Sequence, residues 1–206
     1  MQKHWLSITL PLWLSFFNPV QAQPKQTTDG KYLYPFNDRS YVLAIGNCNR
    51  KQPEDRTCEI RFFHQKANAQ TTIWKENLSI QYGQEAKKTD FNGDGVADFL
   101  IMKGTGARGS NELFYLFLTD PKAKKLVKVK GFEELPNPTY YPKHKVVLSY
   151  SFAGKNYYSI YRIGKQNQLL KIGNAFEDSF DGDEKILNAK IEATLKQHQI
   201  DTKKSK

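Results

Sequence analysis

Sulfur and imidazole ligands are scarce in this chain. Its two cysteines, Cys48 and Cys58, stand too far apart for a CxxC pair, and His64, His144 and His198 are scattered with no histidine cluster near the cysteines. That pattern speaks against a zinc ribbon or a dithiol redox centre. No serine sits in a nucleophile elbow and no pair of carboxylates stands out as a hydrolase pair, so the expectation is a protein that is not an enzyme. Long apolar runs are also missing. The stretch from Trp5 to Val20 is broken by Pro11, Ser15, Asn18 and Pro19, short of the roughly 20 apolar residues a membrane span needs. No later segment comes closer.

What that first stretch does carry is the layout of a secretory signal peptide. Lys3 and His4 head it, and Val20-Gln21-Ala22 places small residues where a signal peptidase reads, so cleavage after Ala22 is expected. No cysteine follows the cut, which speaks against a lipid anchor. Residues 1–22 are then the signal, 23–39 a leader, 40–200 one β-rich domain and 201–206 a basic tail. The remaining chain, about 184 residues after 22 are taken from 206, is enough for one domain with its own core. Export puts it in the periplasm or outside the cell, where Cys48 and Cys58 are expected to form a disulfide across a hairpin.

Negative charge is the minority. There are 31 Lys and Arg against 21 Asp and Glu, a formal balance of +10. In a cytoplasmic protein that excess would raise nucleic acid as a partner, but export argues against it. The lysines are spread out, with Lys128 and Lys130 read on the solvent side of a strand whose Val127 and Val129 face inward. A solvated basic face suits an envelope rich in anionic polymers.

The pattern after Ser40 is one of short strands and turns. "FLIMKGTGARGSNELFYLFLTDPKAKKLVKV" reads as three strands with turns at Gly104 to Ser110 and at Asp120-Pro121. "VVLSYSFAGKNYYSIYRIGKQNQLLKI" repeats the plan, with turns at Ala153 to Asn156 and Gly164 to Asn167. Two such meanders indicate a mainly β fold, either propeller-like or a sheet-rich meander or barrel. Residues 184–199 fit two periods at once. Leu187, Ile191 and Leu195 share a helical face, while Leu187, Ala189, Ile191, Ala193 and Leu195 alternate as in a strand; the Ala, Glu, Lys and Gln content favours a helix.

Against the basic balance stands "TDFNGDGVADFLI". A hard divalent cation wants oxygen ligands converging from a tight turn. Asp90, Asn92 and Asp94 take positions 1, 3 and 5 of such a loop, Gly95 allows the bend, Val96 offers its carbonyl and Asp98 stands at position 9. Position 12 is Ile101, so this is not an EF-hand, and the loop opens a strand. Calcium is the expected ion, in a structural role. A second acidic segment, "EDSFDGDE" from Glu177 to Glu184, lacks the alternation and reads as a surface loop or a helix N-terminus.

The loop is similar to the calcium loops of FG-GAP and integrin-type propeller blades. Its continuation through "LPNPTYYPKHKVVLSY" resembles a family of exported bacterial calcium-binding proteins with a propeller-like β fold, over residues 85 to 173. Members of that family inhibit lysozyme or protect against lysozyme-like effectors. The resemblance implies calcium on Asp90, Asn92, Asp94, Val96 and Asp98, and a protein partner, a lysozyme-like muramidase. It assigns no inhibitory residues. Aromatic anchors dominate such interfaces, which makes Tyr140, Tyr141, Tyr157 and Tyr158 candidates, with ordinary packing as the alternative for each. Host lysozymes are often basic, so a basic inhibitor points to an acidic effector or to contact through the acidic segment at 177–184. Two other functions stay open: an envelope glycan-binding module of the FG-GAP-like type, and a hydrolase that uses the bound metal.

Overall fold

The computed structural model describes residues 30–49, 52, 56–67 and 69–204. The expected signal peptide, its cleavage site and residues 23–29 of the leader lie outside them. Among the described residues twelve strands form three four-stranded antiparallel sheets, each a meander with its strands in chain order, and one α-helix follows them. Sheet 1 holds β1 (Lys31–Leu33), β2 (Tyr41–Gly46), β3 (Thr57–Lys66) and β4 (Ala69–Ser79). Sheet 2 holds β5 (Ala86–Thr89), β6 (Asp98–Gly106), β7 (Asn111–Asp120) and β8 (Lys125–Lys128). Sheet 3 holds β9 (Pro138–Tyr141), β10 (Val146–Ala153), β11 (Lys155–Ile163) and β12 (Leu169–Glu177), followed by α1 (Glu184–Lys204).

The fold is thus mainly β, a sheet-rich meander with no closed barrel among the described residues. Each three-stranded meander read from the sequence gains a fourth strand, β5 in one case and β9 in the other, both only four residues long. Strands that short carry too little alternation to stand out. The 23–39 segment also contributes a strand, β1, paired with β2. The first turn differs too: β6 runs on through Gly106, so Gly104 lies inside a strand, where a register shift falls between Met102 and Gly104. A Cβ on Gly104 would meet the Gln81 amide oxygen at 2.0 Å, so the glycine serves a close approach rather than a bend.

The apolar run "DFLIM" is continuous because β6 is buried on both faces. Phe99 and Ile101 join a core with Leu43, Ile45, Ile60 and Phe62 of sheet 1. Leu100 and Met102 face the other way, into a core that includes Phe132 and Val147 on the side of sheet 3. A third core lies between sheet 3 and α1, where Leu187 and Ile191 meet Val146, Leu148, Ile160 and Ile172. The helix reading of 184–199 therefore holds, and α1 continues into the 201–206 segment. Its N-terminus is capped by Asp183, whose Oδ1 accepts from the amides of Lys185 at 2.9 Å and Ile186 at 3.2 Å.

Cys48 and Cys58 are bonded, joining the ends of the β2–β3 hairpin. Closing so short a loop contributes about 2 to 3 kcal/mol through the unfolded chain. Val129 is buried and Lys130 exposed, as read, but the strand at 125–128 differs: Leu126 is buried, Val127 half-buried, and Lys128 turns toward sheet 1, with Nζ 2.6 Å from Oε1 of Glu76 and 5.1 Å from the centre of the Tyr115 ring. No helix among the described residues is long and apolar enough to cross a membrane.

Candidate metal centre

The acidic loop joins β5 to β6, and Thr89 and Asp98 are paired across its base. Its alternating oxygens wind the backbone on itself. Asp90 Oδ1 accepts from the amides of Gly93 at 2.7 Å and Asp94 at 3.2 Å, and its Oδ2 from Gly95 at 2.9 Å. Asn92 Oδ1 accepts from the Asp94 amide at 3.0 Å, and Asp94 Oδ1 from that of Val96 at 2.8 Å. Asn92 Nδ2 donates to Asp94 Oδ2 at 2.9 Å. Gly93 and Gly95 have φ of 75° and 85°, a left-handed conformation that glycine adopts at least cost.

Asp98 has a different part from the others. Its side chain is fully buried, and its oxygens accept from the Phe91 amide and the Thr119 amide, each at 2.9 Å. Thr119 Oγ1 donates in turn to the Ala97 carbonyl at 2.8 Å. One carboxylate thereby ties the start of the loop, its end and β7 together. Burial pushes the Asp98 pKa up to about 6, with the two amide bonds opposing and the charges of Asp94 and Asp90 adding to the rise. Among the described residues no Lys or Arg forms an ion pair with Asp90, Asp94 or Asp98.

In this conformation no three His, Cys, Asp or Glu side chains among the described residues converge as a ligand set. The chemistry of the donors still fits a hard divalent cation: three carboxylates, one amide oxygen and the Val96 carbonyl, with none of the carboxylates in an ion pair to Lys or Arg among the described residues. Asp98 accepts two bonds and Asp94 two, fewer than the roughly four lone-pair sites an ionised carboxylate offers.

In calcium-free protein Asp98 titrates near 6 when folded and near 3.8 when unfolded. The folded state then holds the extra proton, so this contribution to stability is fully present below the unfolded value and is lost as pH rises to about 6. Urea unfolding of wild type and Asp98→Asn at intervals from pH 4 to 7 measures it. The variant is expected to lack this downward slope, and parallel profiles would contradict the assignment.

The second acidic segment is structural. Asp178 Oδ2 accepts from the Tyr150 hydroxyl at 2.8 Å, Asp178 Oδ1 accepts from the Gly182 amide at 3.2 Å, and Asp183 caps α1.

The four candidate tyrosines are half-buried and fall into two groups. Tyr140 and Tyr141 lie opposite Val147 and Val146, while Tyr158 and Tyr157 lie opposite Tyr150 and Ser151, farther along β10. Tyr140 packs into the core between sheets 2 and 3, Tyr141 stacks on His144, and Tyr158 stacks on Phe176 and Phe180. Phe152 and Tyr82 are more exposed than any of them, at 39% and 49%.

Two partners of the loop escaped the sequence reading. Thr119 lies 21 residues beyond Asp98, on the next strand, and only its polarity within an apolar run marks it. Phe91 is buried inside the acidic motif, its ring edge-on to Phe132 at 5.0 Å. An aromatic at the second position of a polar loop is the mark it leaves.

No family model and no curated protein matches the chain. Among solved structures it is similar to one titled "Structure of a Xanthomonas Type IV Secretion System related protein", at 15% identity and a TM-score of 0.47, over 79% of this chain and 90% of that one.

Proposed function

We propose that the protein is a calcium-binding β scaffold that acts outside the cytoplasm and binds and inhibits a lysozyme-like muramidase, without catalysis of its own. The observation that carries the calcium part is Asp98: a fully buried carboxylate beside two others, with no basic partner among the described residues. Calcium would supply the positive charge that the loop lacks, held by Asp90, Asn92, Asp94, Asp98 and the Val96 carbonyl. The disulfide supports an oxidising compartment.

The muramidase target rests on the resemblance through "LPNPTYYPKHKVVLSY". The described geometry lends that stretch a physical role. Pro136 and Asn137 bond both to β7 and to β10, tying sheets 2 and 3 together. A scaffold held that way loses little freedom when its turns dock on a partner.

One observation favours a glycan module instead. An open groove beside the loop sets the polar groups of Asn92, Asp94, Lys122 and Asn167 beside apolar Leu118 and Val127, a mixture suited to the hydroxyls and the faces of a sugar. Affinity capture with the chain lacking residues 1–22 separates the readings. Recovery of a muramidase from effector-containing lysates, and reduced cell-wall lysis by that enzyme, is the expected result. Saturable binding to peptidoglycan or lipopolysaccharide with no muramidase recovered would favour the groove.

A further inference from the structure

The two glycines of the acidic loop stand in different surroundings. A Cβ on Gly95 would meet nothing within 4 Å, whereas one on Gly93 would fall 2.1 Å from the hydroxyl oxygen of Tyr140. Gly95 therefore serves the backbone turn alone. Gly93 also clears a space for a side chain that arrives from β9, in the neighbouring sheet.

Tyr140 is well placed to act on the loop. Its ring lies 6.4 Å from that of Phe91, the residue that plugs the loop into the core between sheets 2 and 3. On its other side it pairs with Val147 of β10. The next residue, Tyr141, stacks on His144 at 5.8 Å, and His144 Nε2 faces Asn188 Oδ1 of α1 at 3.2 Å. A continuous set of contacts thus runs from the loop apex through β9 to the helix.

We propose that Tyr140 is a positioning residue that seats the loop apex and couples cation occupancy of the loop to the order of β9 and the β9–β10 turn. The inference rests on the calcium reading above. Gly93 lies between Asn92 and Asp94, so the backbone there sets where both oxygen donors point. A ring held against that backbone reduces the freedom the loop gives up when it closes on an ion. The coupling is reciprocal by linkage: an ion that fixes the apex also restricts Tyr140 and the strand that carries it.

The test uses calcium as the probe on chelator-treated protein, with calorimetry for affinity and amide hydrogen exchange for order. In wild type, calcium is expected to bind and to slow exchange across residues 138–147. Tyr140→Leu, which keeps an apolar filler, is expected to weaken calcium binding about tenfold, as loss of an outer-shell support does, and to abolish the slowing. Tyr140→Phe keeps the ring and is expected to lie between. Gly93→Ala combined with Tyr140→Leu is expected to bind calcium better than Gly93→Ala alone, because the collision is relieved. Calcium binding in wild type with the same affinity and protection in both Tyr140 variants would overturn the coupling and leave the calcium reading standing. No binding by wild type would remove both.

Discussion

Replacing Asn137 with alanine is expected to lower the unfolding free energy by about 3 to 4 kcal/mol, from lost hydrogen bonds, an unpaired amide and backbone strain together. The Asn137 Nδ2 group shares its hydrogens among the Ser110 carbonyl at 3.1 Å, the Asn111 side-chain oxygen at 3.1 Å and the Tyr150 carbonyl at 2.9 Å. Its Oδ1 accepts from the Glu112 amide at 2.9 Å. Asn111 extends the network, pairing with both the amide and the carbonyl of Phe152. The backbone at Asn137 has φ of 44°, a left-handed region that asparagine adopts at less cost than alanine. Asn137→Gly loses the same bonds without the strain, so it is expected to cost about 1 to 2 kcal/mol less than Asn137→Ala. Urea denaturation of the two variants checks the ordering. Equal stability of wild type and Asn137→Ala would mean that sheets 2 and 3 are not held together at this point.

Trp74→Ala is expected to cost about 3 kcal/mol, the lower end for removing a large aromatic from a core because the side chain is only half-buried. Most of β4 is exposed, yet Trp74 turns inward and lies nearly parallel to Phe117 of sheet 2, with ring centres 5.5 Å apart and 7° between planes. It also meets Phe62 of sheet 1 at 5.8 Å. The seam between the two sheets depends on it. Ile73, its neighbour, is 45% exposed and falls at the register shift in the β3–β4 pairing. Ile73→Ala is therefore expected to stay within about 0.5 kcal/mol of wild type. The other two tryptophans are Trp5 and Trp13, so in a chain cut after Ala22 the fluorescence of Trp74 reports on this seam alone.

These two residues show where sequence reading succeeds and where it stops. Strands with a long apolar run, such as β6 and β7, declare themselves because burial on both faces demands it. The pairing of Cys48 with Cys58 was legible for a similar reason, since two strands flank a short polar loop. The four-residue strands β5 and β9 leave no period to detect. Trp74 is hidden because an exposed edge strand gives no hint that one of its side chains crosses to another sheet. Asn137 is hidden because its partners lie 13 to 27 residues away in sequence.

The acidic loop divides in the same way. Asp90, Asn92 and Asp94 are readable because their work is local: each bonds to amides within five residues. The contact of Tyr140 with Gly93 depends on how two sheets pack, and no spacing rule reaches that far. Asp98 lies between these cases. Its place at position 9 was legible, but its burial and its bond to Thr119 were not.

If the Asp90–Asp98 loop is a calcium site, melting of the chelator-treated protein with and without calcium will show it. Loops of this kind in extracellular modules bind at about 0.1 to 1 mM. At ten times the dissociation constant the folded state gains about 1.4 kcal/mol, enough to raise the melting temperature by a few degrees. That rise is expected in wild type and is expected to be absent in Asp94→Ala, with magnesium at the same concentration giving a smaller shift. Superimposable wild-type melting curves in chelator and in millimolar calcium would contradict it.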